Sequence, residues 1–139
     1  MTNENKQAKL VTYLLLRKSN KVFLVQYKDS PNPNRKGWWV PAPELAYGEH
    51  PEDCAKRILK SVGISESKLM LSGVDSFVTK DWHVLFYYVA DVTADPVLGA
   101  EYEKGEWFEL DNLPEDSAYA HGKWEKDLVL RLAHERKQS

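Results

Sequence analysis

Cysteine is scarce in this chain of 139 residues: Cys54 stands alone, so no intramolecular disulfide can form and a reducing compartment suits it. The four histidines, His50, His83, His121 and His134, are scattered without the short spacings of zinc ligands, so no zinc site is expected from them. Charge of one sign is also missing. Lys and Arg number 19 against 21 Asp and Glu, a net −2 that gives no general attraction to nucleic acid or an anionic membrane. Long apolar runs are absent too: Tyr13–Leu16 and Val84–Ala90 fall far short of the roughly 20 residues of a bilayer span. Met1 to Gln7 is polar, unlike a secretory signal. The expectation is a cytoplasmic protein whose partner is a small molecule, with no nucleic acid and no membrane.

What is present supports one core. Hydrophobic residues make up 42% of a length that fills one domain and not two. Residues 1–8 read as a disordered lead-in, 9–135 as a single domain and 136–139 as a tail. Leu10–Leu16 and Val22–Tyr27 are apolar and β-branched enough for strands, and the turn Lys18–Lys21 makes them a hairpin. Asp29–Gly37, with two prolines, two asparagines and a glycine, is a loop. Short strands are expected at Trp38–Val40 and Glu44–Tyr47, interrupted by Pro41 and Pro43.

Helix signals follow. His50-Pro51-Glu52-Asp53 places proline at a first helical position and acids at the positive end of the dipole. Cys54, Ala55, Ile58, Leu59 and Val62 recur at three- and four-residue steps, and Gly63 stops the run. Strands are expected at about 68–78, 82–92 and 106–110, with a loop at 95–105 that carries Glu101 and Glu103. Trp124, Leu128 and Leu132 then mark an amphipathic helix over about 122–135. Helices separated by groups of strands predict a mixed sheet sandwiched between helices.

The segment from Trp38 to Ile64 resembles the Nudix hydrolase box, W-x-L-P-G-G leading into G-x5-E-x7-R-E-U-x-E-E-x-G-U, where U is a bulky aliphatic. Trp38, Val40 and Pro41 match the lead-in; Gly48-Glu49, then Arg57, Leu59 and Gly63-Ile64, match the box. Trp107–Pro114 is similar to the family's strand and D-x-L-P turn. The resemblance covers about residues 9–135 and implies a MutT-like, Nudix-type α/β/α sandwich, an α/β fold with a mixed β-sheet. It also implies a Mg²⁺-dependent hydrolase of diphosphates linked to another moiety.

The departures fall on the chemistry. Ala42 and Pro43 replace the paired glycines, Ile58 replaces the glutamate after Arg57, and Lys60, Ser61 or Val62 stand where a glutamate pair belongs. The segment from Arg57 to Gly63 is one residue short. Of the family's box acids only Glu49 remains, and Mg²⁺ needs oxygen ligands in near-octahedral array. No metal is therefore expected at the usual place, and Mg²⁺ only if Glu44, Glu49, Glu101 or Glu103 converge.

By the resemblance, Glu49 and Glu103 are the candidate catalytic acids. Arg35, Trp38, Glu44, Arg57 and Glu101 are candidates to touch a ligand. Three functions remain open: a binding protein for a nucleotide or nucleotide sugar with lost or reduced pyrophosphohydrolysis, an active hydrolase with a relocated acidic site, and an interaction module whose exposed aromatics allow a homodimer.

Overall fold

The computed structural model describes residues 7–29, 36–65 and 67–135. Along them run β1 (Ala8–Lys18), β2 (Lys21–Tyr27), α1 (Pro51–Ser61), β3 (Met70–Val78), β4 (Trp82–Asp91), β5 (Tyr102–Glu109) and α2 (Gly122–Ala133). A single 3-10 turn, Asp116–Ala118, precedes α2. The strands form one mixed sheet in the order β3-β4-β1-β2-β5, in which β1 and β4 run parallel and the other neighbours antiparallel. The expected lead-in and tail fall largely outside the described residues, and Ala8, read as lead-in, already belongs to β1.

Strand alternation sends successive side chains to opposite faces. Leu14, Leu16, Phe23, Val25, Tyr88 and Ala90 pack against Ala55, Ile58, Leu59 and Val62 of the first helix. Tyr13, Leu15, Leu24, Leu85, Tyr87 and Val89 pack against Leu128, Val129 and Leu132 of the second. The sandwich has a core on each side of its sheet.

Helix α1 begins and ends for the reasons its sequence gives. His50 caps it by accepting the Glu52 N–H on Nδ1 at 3.0 Å, and Pro51 follows at the start of the helix. At the far end Gly63 adopts φ 72°, and the Ile64 N–H reaches back to the Leu59 carbonyl at 2.9 Å. A β-carbon at Gly63 would also lie 2.8 Å from the Val97 carbonyl oxygen. Gly63→Ala should therefore lose more than about 1 kcal/mol in urea unfolding; a neutral change would contradict this cap.

The two short strands expected at Trp38–Val40 and Glu44–Tyr47 resolve instead into isolated bridges at Trp38, Trp39 and Glu44. β1 and β2 pair only near their shared turn, from Leu16–Phe23 to Lys18–Lys21, and then part. Segment 39–45 enters the gap. On one side Trp39 exchanges two backbone hydrogen bonds with Val25, of 2.8 and 3.0 Å. On the other, the carbonyls of Pro41 and Pro43 accept the N–H groups of Leu14 and Thr12 at 3.1 and 3.2 Å. The prolines have no N–H to return, so a regular ladder cannot form.

A second correction concerns β5, which starts at Tyr102 and not near residue 106. Tyr102 is buried, Gly105 lets the strand pass against the Phe23 ring, and the pairing with β2 runs to Tyr27. Glu103, expected in a loop, is thus a strand residue.

Candidate functional site

A cleft of about 770 Å³ opens on the α2 side of the sheet. Val11 and Tyr13 of β1 and His83 and Leu85 of β4 line it from the sheet, Phe77 and Thr79 from the β3–β4 hairpin. Trp39 and Ala42 come from the inserted segment, and His121 and Trp124 from the start of α2. The rings support one another. Trp39 meets His121 edge-on at 4.7 Å, His121 meets Trp124 at 5.8 Å, and Phe77 stacks on His83 at 4.9 Å. Such a lining offers flat π-faces to a planar ligand.

Polar groups in the cleft are few and mostly held in place. Lys9, half-exposed, pairs with Asp81 at 3.4 Å, and the Thr79 hydroxyl lies 3.3 Å from His83 Nε2. Burial, helped by the nearby Glu125 charge, pushes the Tyr13 phenol far above its ordinary range, so it stays a neutral hydroxyl.

Glu125 organises one end. It is fully buried, yet its carboxylate accepts two backbone N–H groups, Val40 at 2.8 Å on Oε2 and His121 at 3.1 Å on Oε1, and His121 Nδ1 lies 3.0 Å from Oε1. Facing a carboxylate oxygen, Nδ1 is the nitrogen to carry the proton, which leaves Nε2 as the acceptor. One side chain therefore ties the inserted segment, the start of α2 and the imidazole of the cleft together. From sequence, His121 is weighed only as a zinc ligand and Glu125 is not singled out. The available signal was an acid at position 125, in step with Leu128, Val129 and Leu132 on the buried stripe.

The residues singled out from sequence are not gathered here. Glu49 and Arg57 form a bidentate ion pair, Nε to Oε2 at 2.7 Å and Nη2 to Oε1 at 2.9 Å. Arg57 Nη2 also donates to the Glu44 carbonyl at 3.0 Å, while the Glu44 side chain is exposed. Trp38 turns from the cleft into the α2-side core, edge-on to Phe108 at 4.9 Å; its neighbour Trp39 lines the cleft. Glu101 and Glu103 are exposed and line no part of it. Arg35 lies outside the described residues.

A divalent ion does not fit what stands on α1. Ile58 and Val62 are buried in the core, and the one remaining box acid is engaged by a guanidinium. Among the described residues no three His, Cys, Asp or Glu side chains come together as a metal would require, so Glu44, Glu49, Glu101 and Glu103 do not converge. Cys54 is a buried thiol whose pKa is raised by burial, which keeps it unreactive.

The Glu49–Arg57 pair has a pH signature. Hydrogen bonding from Arg57, then from the Ala46 N–H, lowers the Glu49 pKa from 4.5 to about 2. A folded pKa below the unfolded one means the pair's contribution is full above about 4.5 and is lost as the pH falls through about 2. Carboxyl NMR should find Glu49 titrating near 2, and Arg57→Ala should bring it back toward 4.5. An unchanged midpoint in the variant would contradict the assigned cause.

Comparison with known proteins agrees with this architecture. Residues 6–130 match the family model described as NUDIX domain. No curated protein matches the chain in sequence. Among solved structures, a MutT/nudix family protein from Enterococcus faecalis superposes with a TM-score of 0.72 at 20% identity, over 95% of this chain and 63% of that one. This chain thus spans under two thirds of that relative. The NUDIX domain of Shewanella oneidensis NrtR, in complex with ADP ribose, gives 0.71 at 18% identity over 93% and 88% of the two chains. A MutT protein from Methanosarcina mazei Go1 gives 0.67 at 21% identity over 96% and 99%. With the sheet order, the two flanking helices and a family match across nearly the whole length, the chain belongs to the NUDIX family.

Proposed function

We propose that this protein binds a nucleoside-diphosphate-type ligand in the aromatic cleft and has lost, or retains very little of, Mg²⁺-dependent pyrophosphohydrolysis. The observation that carries the reading is the burial of Ile58 and Val62. Aliphatic side chains, 2% and 0% exposed, occupy the one-turn positions from which carboxylates would hold a metal. Without that cation nothing at the helix polarises a phosphoryl oxygen or lowers the pKa of a water.

The cleft remains suited to binding. His121 and Trp124 present rings on which a base can stack, with the buried Trp39 behind them, and Lys9, paired with Asp81, is the cation on the lining. The relative from Shewanella oneidensis, similar in fold, is in complex with ADP ribose. A ligand of that chemistry, a planar base joined through a diphosphate to a sugar, suits the lining here.

The test is calorimetric titration with ADP ribose, once with Mg²⁺ and once with EDTA. Equal affinity in both is expected. Trp124→Ala removes a ring that is 41% exposed, so the fold should hold while affinity falls by about tenfold, the size of one lost stacking contact. Absence of binding by ADP ribose, UDP-glucose and free nucleoside diphosphates alike would reject the proposal.

A further inference from the structure

The reverse of the sheet from the cleft is only partly covered. α1 packs on that side against β1, β2 and β4 residues toward the β2–β5 end of the sheet. Toward β3 the register aligns rows Val74–Phe86–Thr12, Ser76–Val84–Leu10 and Val78–Trp82–Ala8 on the same face. Leu71, opposite Tyr88, shares this face, and five of its side chains are open to solvent: Leu10 39%, Leu71 54%, Val74 54%, Val78 74% and Trp82 51% exposed. These five and the residues that join them on this face, Ala8, Thr12, Ser76, Val84 and Phe86, carry no charge; Asp75 points to the other face.

We propose that this face is an interface between two copies of the chain, packed sheet on sheet across a two-fold axis. Two observations select a second copy. First, the exposed parts of the five side chains amount to on the order of 500 Å² of apolar surface per copy, near the top of what monomers leave open and a large share of the ~800 Å² per partner in a standard stable interface. Second, a patch without charge is complementary to itself: across a two-fold axis it meets no like charge, and a net −2 opposes association weakly. Two twisted sheets meeting in this way bury side chains from both inner faces. The cleft, on the opposite face, stays open in each copy.

Sedimentation and light scattering from micromolar to near-millimolar chain concentration test the interface. The apparent mass should rise from 16.0 kDa toward twice that value, and fluorescence should shift to the blue as Trp82 is buried. Val74→Glu with Val78→Glu, at positions 54% and 74% exposed, should keep the circular dichroism and melting temperature and hold the chain at 16.0 kDa throughout. Tyr47→Glu, at an exposed position on the loop before α1, should dimerise as the parent does. A parent chain that stays at 16.0 kDa overturns the proposal, as does a dimer that survives the double substitution. A monomer that sediments with anionic phospholipid vesicles also overturns it and gives the face to a membrane.

Discussion

Glu125→Leu is expected to destabilise the fold by about 3 kcal/mol and to weaken ligand binding in the cleft at the same time. Leucine fills the space but accepts nothing, so the Val40 and His121 N–H groups lose their acceptor, at about 1–3 kcal/mol for each that stays buried. The gain from replacing a buried charge by an apolar group offsets part of this. Binding suffers because the lost bonds position Trp39's neighbour Val40 and the His121 ring. Glu125→Gln keeps one carbonyl acceptor and should lose about half as much. Urea unfolding and calorimetry on both variants check the order; a Glu125→Leu protein as stable as the parent would show that the carboxylate does not hold this corner.

Arg17→Met should cost a similar amount, about 2–3 kcal/mol, while leaving the cleft's affinity unchanged. Arg17 is 6% exposed, and its guanidinium grips Asp91 through Nε at 2.8 Å and Nη2 at 2.9 Å. Nη1 turns to the carbonyls of Leu132 and Ala133, each at 3.2 Å, at the end of α2, and of Glu135 just beyond it. The cation therefore joins β1 and β4 to the negative end of a helix dipole. Methionine keeps much of the stem but leaves those last carbonyls without their donor. Breaking a buried pair costs about 3–5 kcal/mol, and we set the figure lower because Asp91, at 35% exposure, can regain water. Asp91→Asn should lose about 1 kcal/mol, since a neutral acceptor remains. An Arg17→Met protein that unfolds with the parent's midpoint would contradict the role assigned to this contact.

Local chemistry was readable in the sequence, and distant chemistry was not. The α1 boundaries follow from His50, Pro51, the apolar stripe and Gly63, all within one short segment. The adjacent Trp38 and Trp39 announced that one ring would turn each way, but which one faced the cleft depended on Val25 and Ala118 holding their backbones. Arg57 stands among the ligand candidates by the resemblance; the turn before α1 instead brings Glu49 back onto it across eight residues. Glu103 falls in the loop expected at 95–105, whereas Gly105 at its end is what lets β5 pass Phe23. Hardest of all was Glu125. Its partner Val40 lies 85 positions away, and no periodicity reports a contact that only the closed sandwich creates.

The most direct measurement is a mass-spectrometric time course with ADP ribose or UDP-glucose in the presence of Mg²⁺ or Mn²⁺. The intact compounds should persist, with turnover far below ~1 s⁻¹, an ordinary enzyme rate. Metal-dependent release of AMP or UMP near that rate would mean that a cation finds its oxygen ligands after all, and would contradict the account.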